Sequence, residues 1–481
     1  GKNRKLDSFV VHWFNWPQGS AEVPVNCQEP LLAMELTIQE GSCPYLYAWD
    51  GKGFRFITDI LGASPLGLPV AAGRHIEADP EELVWIGDEQ SFLAKEGVFQ
   101  IKITEELREV LYLDEAKLVV VDHESGVEVH PTDKLLPRKP YPPGALMTLH
   151  REHPLRRAEN AEGQEVTSAL KIVDGRRVSP PKLRASHLRG LAESHGWILD
   201  FGPLDTSKPL VLVMNGWLRF GGGMANIAAS LDSSLPFPFP TLEAEVSAGN
   251  WTVLDVTVGA PAGKTKTILV DLEGKLAAGT SRLRLTGAFE IHWDRIALME
   301  KKTDSETRIS YIQPSKTDLQ FRGFSAVQKL PPDWPITPDY DRVTPNSHWT
   351  ITPGGWCTRY GSVSELIAER DEGLMIMNSG DELTLSFTAS SLPSKPSGSI
   401  REFFLYADGW DKDSDFHVAA GDQVEPLPFH GMNDQQYRQE ERPPFPSDAL
   451  HRKYNTRWVA GKGLRQTTTS QPKPSINGLI K

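Results

Sequence analysis

The run Leu405-Tyr406-Ala407-Asp408-Gly409-Trp410-Asp411-Lys412-Asp413-Ser414-Asp415-Phe416 sets an aromatic, apolar stretch directly against four carboxylates spaced two or three residues apart. The first half reads as a β-strand and the acidic half as a turn at its end. Far upstream, Tyr45-Leu46-Tyr47-Ala48-Trp49-Asp50-Gly51-Lys52 has the same design, an aromatic strand running into a Trp-Asp-Gly turn. The shared unit is a strand closed by a tight turn. At the junction of the last folded strand and the tail, the acidic stretch reads first as a structural corner and second as a cation site.

Composition carries the β reading to the whole chain. The 481 residues allow two to four domains. With 37 Pro, 40 Gly and 13 Trp, the chain favours many turns between aromatic-rich strands. The expected fold is mainly β and multi-domain, with β-sandwich or jelly-roll domains, little helix and an extended C-terminal tail. Pattern breaks place a β module at 1–40, a β domain at 41–150, a β-sandwich at 151–300, a further β domain at 301–420 and a Pro-rich tail at 421–481. The most regular block runs from 197 to 298, with seven or eight short β-type runs. Residues 181–195 are the best helix candidate, with Leu183, Leu188 and Leu191 on one side and Gly196 as a stop. A single helical turn is also read at 105–111.

Charge and hydropathy exclude some partners. A net charge of −12 supplies no basic face to displace counterions from phosphates, so nucleic acid is not a partner. No run of 18 apolar residues exists, so no helical membrane span is expected. The start Gly1-Lys2-Asn3-Arg4-Lys5 is not a signal peptide. Beginning abruptly on a strand, the chain reads as the C-terminal part of something larger or as a trimmed chain. Cys27, Cys43 and Cys357 are too few for a disulfide framework. Cys27 and Cys43 can pair if their strands are neighbours, closing a loop worth about 3 kcal/mol; the alternative is three buried thiols.

No complete catalytic motif is present. Asp408, Asp411, Asp413 and Asp415 resemble the alternating start of a calcium loop, because a hard cation takes several oxygens from a tightly turned chain. No glycine stands at the sixth position, so this is no EF-hand; calcium is the one cofactor the pattern suits, and a solvated acidic turn is the alternative. Trp217, Trp251 and Trp293 are candidates for a sugar-stacking surface, with His292 and Asp294 beside them; core packing is the commoner use of such residues. Asp50, Asp59, Glu290 and Asp294 are the carboxylates from which a glycosidase pair would be drawn. His150 and His153 stand three apart, but Pro154 argues against the helix that would align them on a metal. Gly259-Ala260-Pro261-Ala262-Gly263-Lys264-Thr265 has one residue too few between its glycines for a phosphate loop and reads as a hairpin turn. Gly221-Gly222-Gly223 reads as a flexible turn.

Cys43-Pro44-Tyr45-Leu46-Tyr47-Ala48-Trp49-Asp50-Gly51, Phe289-Glu290-Ile291-His292-Trp293-Asp294-Arg295-Ile296-Ala297-Leu298, Thr358-Arg359-Tyr360-Gly361 and Val424-Glu425-Pro426-Leu427-Pro428-Phe429-His430-Gly431-Met432, with 259–272, carry a resemblance. The chain resembles the C-terminal region of bacterial FG-GAP-repeat proteins with an ASPIC/UnbV module, often accompanied by tetratricopeptide repeats. Residues 10–25, with Trp16-Pro17-Gln18-Gly19, are similar to the end of the module itself. The resemblance implies an extracytoplasmic protein, periplasmic or at the cell surface, with a calcium-binding propeller preceding this region. It implies no catalytic residues. The expectation is therefore a non-catalytic binding or structural subunit of a larger assembly, contacting other proteins or a glycan; the alternative is a carbohydrate-active hydrolase using paired carboxylates.

Overall fold

The computed structural model describes residues 8–12, 20–24, 42 and 44–461, the last span without 72, 138, 186–187, 232–238, 304–305, 329, 332, 348, 350, 416 and 434–447. The fold is mainly β, with 49% strand and 5% helix in several antiparallel sheets, and no barrel closes among the described residues. Cys27 and Cys43 lie outside the described residues. Cys357 is a buried free thiol whose ionisation burial pushes up to about 12.

Two sandwiches are nested in the chain. One sheet of the first orders Lys316–Phe321, Asp381–Thr388, Val98–Thr104, Tyr45–Trp49 and Phe54–Asp59. Its other sheet orders Arg308–Ile312, Glu109–His123, Ile400–Asp413 and Glu81–Asp88, with Met375–Asn378 also paired to Glu109–His123. Leu46, Ile101, Leu385 and Phe387 from the first sheet pack against Leu113, Val120, Phe403 and Leu405 from the second in one core. Strands from 41–150 and from 301–420 thus share both sheets.

Between them the chain builds the second sandwich. One sheet orders Val127–Pro131, Leu146–His153, Ile291–Lys301, Leu210–Leu218 and Lys266–Asp271; the other orders Arg157–Asn160, Leu188–Asp200, Arg282–Phe289, Thr241–Ser247 and Asn250–Val253. Its core joins Leu212, Met214, Ile268 and Leu298 to Trp197, Leu199, Leu283 and Leu285.

Local readings fail where tertiary pairing overrides propensity. The helix expected at 181–195 is instead Leu183–Ala185 paired with the start of Leu188–Asp200. Burying Trp197, Leu199 and Phe201 at every second position suits a strand next to Arg282–Phe289, and a helix would scatter them. The helical turn read at 105–111 is a bend followed by strand from Glu109. The helix of this region is Gly222–Leu231, opened by the glycines read as a turn. The stretch 259–265 joins strands of different sheets, so it is a crossover and no hairpin.

The acidic stretch is also not a turn: Ile400–Asp413 stays in register with Glu109–His123 to its end, Asp413 opposite Glu109. A bulge between Asp408 and Gly409 brings the backbone so close that a Cβ on Gly409 would lie 2.2 Å from Tyr112 O. The tail packs back on this strand. Val424, Leu427, Phe429 and Met432 join Tyr112, Ile376 and Trp410 in a buried cluster, and Arg457–Val459 pairs with Gly355–Cys357.

Because Arg308 sits opposite Asp122, the two ends of the insertion are already neighbours. Replacing 125–306 by a short Gly-Ser turn is expected to leave the first sandwich unfolding cooperatively in a thermal melt monitored by circular dichroism. The product should bind a hydrophobic dye, because Val127 and Val129 no longer cover Val119, Val121 and Phe404. Loss of a cooperative transition would show that the insertion is required for folding.

Candidate functional site

The seam between the sandwiches opens into a cleft of about 480 Å³. One wall comes from Phe54–Asp59 and Glu81–Asp88, the other from Val127–Pro131, Leu210–Leu218 and Lys266–Asp271. Ligand sites concentrate at such domain junctions and have this size.

The base of the cleft is ionic. Lys266 Nζ stands 2.9 Å from Asp59 Oδ1 and 3.1 Å from Glu82 Oε1, and Asp59 also accepts the Lys264 amide at 3.0 and 3.1 Å. Burial would lower the Lys266 ammonium, but Asp59 and Glu82 outweigh it and hold it raised. Breaking such a buried set from one side leaves an uncompensated charge. Asp133 Oδ2 accepts the Leu83 amide at 2.8 Å. Burial pushes the Asp133 carboxyl well above the usual range; that amide opposes the shift, and Glu82, Asp79 and Glu81 add to it.

The upper cleft is better suited to recognition. Trp85 is 43% exposed, its indole Nε1 donating to Glu402 Oε1 at 3.1 Å. Opposite, Arg295 grips Glu128 through two bonds of 2.8 and 2.9 Å, and His130 lies 2.8 Å from the same carboxylate. Burial alone would raise Glu128; His130 and Arg295 overcome this and hold it down to about 2. Asn215 Nδ2 donates to Thr267 Oγ1 at 3.0 Å, while its Oδ1 is buried with no hydrogen-bond partner. A buried acceptor left unmade costs about 1–3 kcal/mol, so this oxygen is a natural place for a ligand donor.

The residues singled out by sequence are placed elsewhere. Trp217 and Trp293 are buried at 2% exposure each, Trp217 stacked on His292 with ring centres 4.6 Å apart. Trp251 lies on another sheet under Arg282 and Arg284. The three therefore form no common sugar platform. His292 Nδ1 is 2.7 Å from Ser179 Oγ, and burial lowers its pKa so that it stays neutral at pH 7. Asp294 instead accepts the amides of Asp174 and Gly175, fastening a loop. The proposed glycosidase carboxylates are likewise tied up: Asp50 accepts the amides of Lys52 and Gly53, and Glu290 is 2.9 Å from Arg219 Nε and 3.1 Å from Arg189. His150 and His153 lie on a strand, and both approach Glu300.

The four aspartates do not converge on one ion: Asp408 lies across the bulge at Gly409, Asp415 lies past the end of the strand, and Asp411 and Asp413, which share a face, take different partners. Asp413 accepts Arg108 Nε at 3.2 Å, and Asp415 accepts the His417 amide beside the opening glycines of Gly222–Leu231. Asp411 turns toward Glu105 and Glu109. Asp408 meets His430, which donates from both ring nitrogens, Nε2 to Asp408 Oδ1 at 2.7 Å and Nδ1 to Glu372 Oε1 at 2.9 Å. Asp114 lies 3.8 Å from the same Nδ1. Burial opposes protonation of this imidazole, but the bonds to Asp408 and Glu372 raise it to about 9. Although Asp114, Glu372 and His430 have the spacing of a metal site, the imidazolium is itself the cation there. It locks the tail onto the long strand.

His430 thus stabilises the fold fully below its unfolded pKa near 6.5, and the effect disappears as pH rises through about 9. His430→Gln is expected to lower stability by roughly 2 kcal/mol at pH 6, with the difference from the unaltered chain narrowing toward pH 10 in paired denaturation curves. A gap independent of pH would mean that the ring acts by packing alone.

Compared with known proteins, the chain matches no family model, and no curated protein is significantly similar to it.

Proposed function

We propose that the chain is a non-catalytic, extracytoplasmic binding protein, an accessory module of a larger assembly, whose inter-sandwich cleft takes a polyhydroxylated ligand such as a short glycan. The observation that carries this reading is the buried Asn215 Oδ1 in the cleft wall, an acceptor in want of a donor. A sugar hydroxyl supplies that donor, and the exposed Trp85 offers an apolar face. The net charge of −12 disfavours polyanions and suits a neutral ligand. Location and membership of an assembly rest on the sequence resemblance.

One observation favours hydrolysis: burial raises the Asp133 carboxyl in the cleft, the direction in which a general acid is tuned. Its nearest companion, Glu82, is bound by Lys266 and by the Leu61 amide, which leaves it poorly placed to activate water. Binding is therefore the better reading.

The test is isothermal titration of the purified chain against a panel of neutral oligosaccharides. A ligand should bind, with Trp85→Ala and Asn215→Leu each weakening it about tenfold, the scale of one lost stacking or hydrogen-bond contact. Absence of binding across the panel, or unchanged affinity in both variants, would sink the proposal. Release of reducing ends from a bound oligosaccharide would establish the hydrolase instead.

A further inference from the structure

A second carboxylate cluster lies away from the cleft, at the open end of the first sandwich. Glu105 follows the strand Val98–Thr104, Glu109 opens Glu109–His123, and Asp411 lies near the end of Ile400–Asp413. Asp413 pairs with Glu109 and Asp411 with Leu111, so Asp411 and Glu109 are diagonal neighbours on one face of the sheet. That face points into the sandwich, as Leu111 does. Glu105 reaches the same point from the loop arriving from the other sheet. One oxygen from each of the three lies within 4.8 Å of the others, and the residues are 0%, 3% and 7% exposed, Asp411 the most.

A second observation sets this cluster apart from an ordinary acidic surface. Asp411 Oδ1 is buried with no hydrogen-bond partner. Carboxylates buried this close together are relieved by a shared proton, a basic partner or a cation.

The geometry points to a calcium ion held by Glu105, Glu109 and Asp411. The donor set is all oxygen, which selects hard cations over zinc or copper. Calcium accepts several protein carboxylates at 2.3–2.6 Å, spanning oxygen separations up to about 5 Å, whereas magnesium is smaller and keeps several waters. A buried pocket favours the ion that sheds water more readily. Asp413, occupied by Arg108, stays outside the set. Bound there, the ion ties the loop from one sheet to both long strands of the other, so it clamps the sandwich end on which the tail is laid. The inference does not depend on the cleft or on what the cleft binds.

The full chain, treated with chelator and dialysed, is titrated with calcium chloride and separately with magnesium chloride by calorimetry, with thermal melts of each form. The expected result is one calcium per chain, bound at least tenfold tighter than magnesium, with a melting temperature several degrees higher. Asp411→Asn should weaken calcium binding at least a hundredfold, while Asp415→Asn leaves it unchanged. If Asp411→Asn does not fold, Glu109→Gln gives the same reading. No heat and no melting shift at millimolar calcium in the unaltered chain overturns the site; so does undiminished binding in the Asp411 and Glu109 variants. A melting temperature that ignores calcium but rises between pH 7 and pH 5 would assign the cluster to shared protons.

Discussion

The fold depends on the backbone pairing of Glu109–His123 with Ile400–Asp413. It runs without a gap in contact from Ile400 opposite His123 to Asp413 opposite Glu109, through one bulge at Gly409. The strands are separated by the whole inserted sandwich and by the strands from Arg308 to Thr388, so a very large loop must close before they meet. Loop-closure entropy grows only with the logarithm of length, which is why a long, well-buried strand pair can hold such an insertion. The insertion in turn covers the outer face of this sheet through Val127 and Val129, and the tail covers the far end through Trp410 and Tyr112.

That long strand distributes the charge of the molecule. Along Ile400–Asp413 the side chains alternate between the sandwich interior and the outer face, and the bulge at Gly409 resets the alternation. Asp408 therefore meets the histidine of the tail, whereas Asp411 meets two glutamates at the open end. Lys412, next to Asp411, is buried against the tail, donating to Val424 O at 2.9 Å, and burial lowers its ammonium to about 7. An acidic protein of this kind avoids self-repulsion in its interior by giving buried carboxylates specific partners: a lysine for Asp59 and Glu82, arginines for Glu290 and Glu128, and an imidazolium for Asp408.

Much of this architecture was legible. Short alternating runs bounded by Gly, Pro and Asp announced strands, and the aromatic run Tyr45–Trp49 with its Asp50 turn is where the sequence pattern placed it. Local chemistry misled where propensity and partner disagreed. The leucines of 181–195 suit a helix in isolation, but the strand Arg282–Phe289 beside them offers a row of backbone donors and acceptors that only an extended chain can satisfy. The glycines at 221–223 suit a turn, but they leave room for the Asp415 carboxylate at the start of a helix.

The sequence by itself determined the fold class, the placement of many strands and the acidic net charge, because these depend on composition and on periodicity over a few residues. The tertiary structure decided which residues form sites. Asp59, Glu82 and Lys266 meet across two domains, and Asn215 becomes an orphaned acceptor only when the sheets close around it. The four aspartates that look like one cation loop become separate contacts, because the chain through them is extended, a bulge at Gly409 divides Asp408 from the rest, and Asp415 lies past the strand's end. A site made of residues hundreds of positions apart leaves no local pattern to read, and its chemistry exists only once the strands that carry it are paired.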